Sequence, residues 1–301
     1  MIFDMPEPAQ DDNIMRDGVR IRYRVFEPAA GADETVLMLP PWIVTSSDIW
    51  APQVRELSRH YRVVVFDGRG GGRSDRPQNT DAYRSEAYAG DALAVLRAAG
   101  AESAHLVGLS FGGHLAALLA ARHPQRVTSL TLIAPSAPFG PSNAAMKAEN
   151  FLAPWNGAGG WALFNREAWL RDYERFARFF VAEAVGEPGC DALIALGLRW
   201  ALEVDGPTLV HSVMARAQTA VEEGEELYRG IRCPVQVLHG EHDSIVPAEK
   251  GQHVAALLGA PFHLFTGAGH VPGQTRAEAI NRTICMFLAL HGRRPAQAAV
   301  A

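Results

Sequence analysis

The chain has 301 residues, 48% of them hydrophobic, and a formal net charge of −5. That length fits one large core carrying a sizeable insertion better than two full domains, and the weak negative charge leaves no basic footprint for nucleic acid. The N-terminal stretch MIFDMPEPAQDD lacks the basic and apolar regions of a signal peptide, no apolar run is long enough to span a bilayer, and Cys190, Cys233 and Cys285 lie far apart with no CxxC spacing; a protein of the reducing cytoplasm is expected, with no disulfide framework, no metal site and no membrane contact.

The first predicted strand spans 19–25. Val19, Ile21, Tyr23 and Val25 share one face and Arg20, Arg22 and Arg24 the other, the alternation of a half-exposed antiparallel edge strand. The runs 36–39, 63–66, 105–109, 130–134 and 235–239 are short and almost continuously apolar. Strands buried on both faces and paired in parallel beneath helices read this way, and 262–265 is a shorter candidate. Helical patterns lie between them, at 84–99 with Ala92, Val95 and Leu96, and at 111–122 with Leu115, Leu118 and Leu119. The last predicted helix starts with Thr275 and Glu278 at capping-box spacing and buries Ile280, Ile284, Phe287 and Leu288. This alternation predicts the α/β class, with a mostly parallel, doubly wound sheet of about eight strands. The rhythm breaks at 139–229, where helical patterns and aromatic residues accumulate. The expected division is a core in two parts, 1–138 and 230–292, with a helical cap inserted at 139–229 and a frayed tail at 293–301.

Gly108-Leu109-Ser110-Phe111-Gly112 matches G-x-S-x-G, preceded by a strand-like run and followed by a helix-like one. That setting is the context of a nucleophile elbow, in which small neighbours let strand and helix approach and the serine hydroxyl projects above the sheet. A serine hydroxyl needs a base. His270, in the glycine-rich loop Gly267-Ala268-Gly269-His270, is the candidate; His242 is its main competitor, while His105, His114, His123 and His239 read as strand or helix residues with structural roles. The base needs an orienting carboxylate. Asp243 follows the run 235–239, at the strand end where open α/β sheets place their sites, and Glu241 is the alternative. The order Ser, Asp, His along the chain is the order found in α/β-hydrolases.

On these residues the chain resembles the α/β-hydrolase fold family over essentially its whole length apart from the termini. Asp67-Gly68-Arg69-Gly70-Gly71-Gly72-Arg73-Ser74-Asp75-Arg76-Pro77 is similar to that family's D-x-R-G-x-G-x-S-x-x-P loop, read here as structural. More distantly, 66–77 and the Phe-rich insertion resemble actinobacterial hydrolases related to adenylate-cyclase-linked domains, a likeness that names no substrate. The family usually carries His-Gly after the strand at 36–39; this chain has Pro40-Pro41, then Trp42. The resemblance implies an oxyanion hole made by the backbone N–H groups of Trp42 and Phe111. Neither proline has an N–H, and neither occupies a donor position, so their fixed φ angles stiffen the hole.

The resulting expectation is a serine hydrolase with Ser110, Asp243 and His270 as catalytic triad, acting on a carboxylic ester or a related lactone or thioester. No metal or organic cofactor is implied, and the partner is a small-molecule substrate. Trp42, Phe111, Phe176, Phe180 and Val271 are the candidate substrate-binding residues. The spacing of Tyr173, Phe176 and Phe180 fits either a helix packed on the core or an apolar ceiling over Ser110. Few charges fall at positions expected near the serine, so an apolar or aromatic acyl group is expected. Carbon–carbon hydrolysis, acyl transfer and perhydrolysis would use the same triad, and a low-turnover binding scaffold is the alternative of another class.

Overall fold

Asp17 and Gly18 both take positive φ, 51° and 74°, the two-residue reversal that suits the twist of an antiparallel pair. It joins β1 (Gln10–Arg16) to β2 (Val19–Phe26), with Arg16 opposite Val19. The structure, a computed structural model, describes residues 4–219 and 224–292. β3 (Thr35–Leu39), β4 (Arg62–Phe66), β5 (Ala104–Leu109), β6 (Val127–Ile133), β7 (Val235–Gly240) and β8 (Phe262–Phe265) complete an eight-stranded sheet of order β1-β2-β4-β3-β5-β6-β7-β8. β2 is antiparallel to both β1 and β4, and every other pairing is parallel.

Helices α1 (Ala51–Leu57), α2 (Ser85–Ala98) and α3 (Phe111–Arg122) link the early strands. Between β6 and β7 the chain runs through α4 (Ala148–Leu152), α5 (Arg166–Val185), α6 (Asp191–Ala201), α7 (Gly206–Thr219) and α8 (Glu225–Arg229), with no strand among the described residues. Helix α9 (Ala248–Leu258) separates β7 from β8, and α10 (Pro272–Thr275) and α11 (Ala277–His291) follow β8.

Successive strand residues point to opposite faces, and both faces are covered. Val36, Met38, Val63, Val65 and Val107 pack with α1 and with Ile280, Ile284 and Leu288 of α11. Leu37, Leu39, Val64 and Leu106 pack with α2 and α3 through Ala92, Val95 and Leu115. Each such side chain contributes roughly 2 kcal/mol by leaving water. This is why these runs lack alternation, whereas β2 buries Val19, Ile21, Tyr23 and Val25 on one face and on the other exposes Arg20 but buries Arg24 and Phe26.

Three local expectations are corrected. β2 is antiparallel, as its alternation predicts, but it is not the edge strand; β1 is, polar and mostly exposed along its length. The last helix is broken at Arg276 (φ −126°, ψ 36°), so Thr275 ends α10, and no side chain caps α11. β6 stops at Ile133 because Ala134 turns to φ 44°. The tail expected at 293–301 lies outside the described residues.

The loop 67–77 is structural. Asp67 accepts from the N–H groups of Ser47 (2.7 Å) and Arg73 (3.0 Å). Gly72, at φ 48°, leaves no room for a Cβ against that carboxylate. Arg69 forms two 2.7 Å hydrogen bonds to Asp91, both side chains buried. The loop thereby fixes the segment following β3, which leads into the cavity beside Ser110.

Candidate active site

Ser110 joins β5 to α3 at φ 56°, ψ −116°, a strained conformation for a residue with a Cβ. Its N–H donates to the Ile133 carbonyl (2.8 Å), and its own carbonyl accepts from Ser136 N–H (3.1 Å), so the end of β6 and the residues just after it hold the turn from the side. The two glycines of the motif are sterically required. A Cβ on Gly108 would overlap the Gly112 backbone, and one on Gly112 would overlap the carbonyls of Leu39 and Pro40. The second contact brings the 40–42 segment against the start of α3. Phe111 is the first residue of α3, where N–H groups have no intrahelical partner and the helix dipole favours negative charge.

Two glycine-bearing loops meet at the ends of β7 and β8. A Cβ on Gly240 would overlap the carbonyls of Ala268 and Gly269, and one on Gly269 would overlap the Val185 carbonyl at the end of α5. His242 N–H donates to Ala268 (2.8 Å), and His270 N–H to Ala184 (3.0 Å). This contact of loop on loop delivers Asp243 to His270. Asp243 Oδ2 lies 2.7 Å from His270 Nδ1 and 3.1 Å from His239 Nε2. Its Oδ1 accepts from the N–H groups of Ile245 (2.9 Å) and Val246 (2.8 Å). Burial alone would raise this carboxyl, but the charge of His270 and the hydrogen bonds from His239 and His270 outweigh it and hold Asp243 well below the usual carboxylate range. With Nδ1 donating to Asp243, the neutral His270 ring keeps Nε2 as its acceptor.

Ser110 and His270 line one cavity of about 130 Å³, walled by Trp42, Phe180, Val271 and Trp200. An adjoining cavity of about 290 Å³ shares Trp42, Ser136 and Arg216 with it and adds Phe111, His114 and Lys250. Phe176, also expected at the substrate, is fully buried behind Trp42, against Trp169 and Phe180. Phe180 lines the cavity from the second half of α5, which is kinked at Asp172 (φ −153°, ψ 73°), whose carboxylate caps that half by accepting from Arg175 N–H (3.2 Å). Trp42 joins the segment after β3 to the helices between β6 and β7: its Nε1 donates to Ser212 of α7 (2.9 Å), and its ring meets Phe164, Trp169 and Phe180.

The competing residues are placed elsewhere. His242 is exposed beside Glu241, and Glu241 accepts from Gly267 N–H (2.9 Å) on the loop's outer side. His105 and His114 bond Ser129 and Tyr228 within the core.

Sequence reasoning missed two things here. Cationic side chains do reach the site: Arg216 of α7 lines both cavities, with its guanidinium 4.7 Å from the Phe111 ring centre and donating to Ser136 Oγ (3.2 Å). The buried Lys250 ammonium donates to the carbonyls of Ala137 (2.7 Å) and Phe139 (2.5 Å), and burial, with the Arg216 charge, pushes it down to about 8. No helical period distinguishes such residues from ordinary surface cations. The second omission is His239, whose strand position hid its contact with Asp243. Among the described residues no group of three His, Cys, Asp or Glu side chains is arranged to hold a metal ion, and no helix is long and apolar enough to cross a membrane.

A family model described as "alpha/beta hydrolase fold" matches residues 35–273. The chain is 31% identical over 234 residues, 76% of each chain, to a 2-hydroxy-6-oxononadienedioate/2-hydroxy-6-oxononatrienedioate hydrolase of Paraburkholderia xenovorans (strain LB400). It is 28% identical over 282 residues, 91% of this chain and 97% of the relative, to a bifunctional esterase/perhydrolase of Acinetobacter calcoaceticus. Among solved structures it resembles the enol-lactonase of Burkholderia xenovorans LB400, with a TM-score of 0.76, 23% identity, and 92% and 100% of the two chains covered.

Proposed function

The chain belongs to the α/β-hydrolase fold family and is a hydrolase acting on a small molecule, and from that premise we propose that it cleaves a carboxylic ester or a related lactone or thioester through Ser110, His270 and Asp243. The observation that carries this reading is the 2.7 Å bond from His270 Nδ1 to a fully hydrogen-bonded Asp243, with His270 and Ser110 in the wall of the same cavity.

In the proposed reaction Ser110 Oγ attacks the carbonyl carbon while His270 Nε2 takes its proton. The proton passes to the leaving alcohol, an acyl-enzyme forms, and His270 then deprotonates the water that releases the acid. Asp243 fixes the imidazole and stabilises its cation. The N–H groups of Trp42 and Phe111 receive the oxyanion, each worth about 3 kcal/mol of barrier. The segment 139–229 acts as a cap whose Phe180 and Trp200 present an apolar wall to the acyl group.

Steady-state hydrolysis of p-nitrophenyl esters from acetate to decanoate tests this, wild type against Ser110→Ala. Turnover by wild type and background rates for the variant support it, and the chain-length optimum sizes the cavity. Folded wild type no faster than Ser110→Ala on every ester would refute ester hydrolysis.

Arg216 favours one second reading. The substrate named for the Paraburkholderia relative has no ester bond, so its hydrolysis breaks a carbon–carbon bond, and it carries two carboxylates. A guanidinium in the wall of the Ser110 cavity is a fitting partner for such a group. Turnover of vinylogous 1,5-diketo acids with none of the esters would favour this reading.

A further inference from the structure

His239 is the penultimate residue of β7, with its side chain fully buried, so it meets no substrate. Its Nε2 lies 3.1 Å from Asp243 Oδ2 and 2.9 Å from the Val246 carbonyl oxygen. Both neighbours are acceptors, so Nε2 carries the proton and divides it between them. The other nitrogen, Nδ1, has no hydrogen-bond partner among the described residues. It is pressed against α9, where a Cβ on Gly251 would overlap it. A second N–H at Nδ1 would have no acceptor and little space. Packing therefore selects the Nε2–H tautomer and aims it at the Asp243 oxygen that also bonds His270.

We propose that His239 is a positioning residue of this site: its Nε2–H fixes Asp243 Oδ2 for His270 and, by sharing that oxygen, limits how strongly Asp243 stabilises the His270 imidazolium. The inference rests on the Ser110–His270–Asp243 reading above. Asp243 has two backbone donors on Oδ1 and two imidazole donors on Oδ2. The backbone donors hold the turn of the acid loop. The imidazole of His239 adds a third anchor, from the strand itself, which stops the carboxylate rotating about its Cβ–Cγ bond. The ionisable groups acting on Asp243 are His270 and His239. Helix α9 presents the Gly251 backbone to the His239 ring and β8 presents Phe262, while the Lys250 ammonium is directed to the carbonyls of Ala137 and Phe139.

Removing the Nε2–H leaves Asp243 a stronger acceptor toward His270. The His270 imidazolium then persists to higher pH, and the acid limb of the rate profile moves up. The test compares kcat/KM from about pH 5 to 9 in the full chain for wild type, His239→Leu, His239→Gln and Ser110→Ala. In His239→Leu the acid limb is expected to rise by about half a pH unit or more, with kcat lower by about tenfold from the looser carboxylate. His239→Gln, which restores a side-chain N–H, moves the limb back toward wild type. A purely structural role would lower kcat without moving the limb, and superposable profiles for wild type and folded His239→Leu overturn the proposal. Wild-type rates equal to Ser110→Ala would instead overturn the triad reading beneath it. If His239→Leu does not fold, ring-nitrogen NMR of wild type decides: a proton on Nε2 alone is expected, and one on Nδ1 overturns the assignment.

Discussion

The cavity has two kinds of wall. At the carboxyl edge of the sheet Ser110 and His270 stand in it on loops fixed from behind by backbone contact: Gly108 against Gly112, Gly112 against Leu39 and Pro40, and Gly240 against Gly269, with no space for a Cβ at any of them. Across from it the wall is side chain: Trp42, Phe180, Val181 and Trp200, with the rings of Trp42 and Phe180 in an aromatic cluster that continues through Phe176 and Trp169. The first wall sets positions to fractions of an ångström and tolerates almost no substitution. The second sets volume and polarity, and many apolar combinations would fill it. Chemistry is therefore expected to be fixed at the sheet edge and substrate choice adjustable in the helices above it.

The largest expected effect sharpens the first half of that contrast. Asp243→Asn keeps the shape of the acid loop but removes the charge and favours the wrong His270 tautomer; kcat is expected to fall by about 10³- to 10⁴-fold with KM little changed, measured on the best p-nitrophenyl ester. A change of KM alone would mean that the sheet edge serves binding rather than chemistry. Gly112→Ala places a methyl in the carbonyls of Leu39 and Pro40; a stability loss of about 3 kcal/mol in urea is expected, with activity falling alongside. A neutral result would break the claim that this wall is rigid.

Lys250 lines the adjoining cavity, and its prediction concerns pH. Its ammonium is pushed down to about 8 in the fold from its ordinary value of 10.5. Below the folded value both states carry the charge, and burial penalises the native one. Between the two values only the unfolded chain keeps the proton, so native stability rises with pH across that window. Urea denaturation of wild type minus Lys250→Met is expected to shift by about 2 kcal/mol in favour of wild type between about pH 7.5 and 10.5. A flat difference would mean the lysine is not held charged in a buried site. The smallest effect belongs to the side-chain wall. Phe180→Leu is expected to lower stability by only about 1 kcal/mol while moving the ester chain-length optimum toward longer acyl groups. An unchanged optimum would remove Phe180 from the substrate wall.

The same contrast explains what could be read from the sequence. Glycines that backbone contact forces recur at fixed offsets, so Gly108, Gly112 and Gly269 mark the elbow and the histidine loop in the bare sequence. Strands buried on both faces are equally visible, because burial removes their polar residues. β1 escaped because an exposed edge strand has no apolar face to betray it; Asp17-Gly18 ahead of an alternating run was the signal available. The break at Arg276 escaped because a one-residue departure from helical φ, ψ leaves the apolar period almost intact. Side-chain walls are hardest to read. The spacing of Phe176 and Phe180 shows their shared helix face but not that Phe176 stops behind Trp42, and nothing local shows that Arg216 reaches Phe111 from a helix distant in the chain.

Covalent labelling tests the central claim most directly. A fluorophosphonate probe incubated with the full chain and followed by intact mass and peptide mapping is expected to add one adduct, on Ser110, which disappears in both Ser110→Ala and a sample denatured beforehand. A folded wild type that takes no label, or that takes it on another residue, would contradict a nucleophile at Ser110.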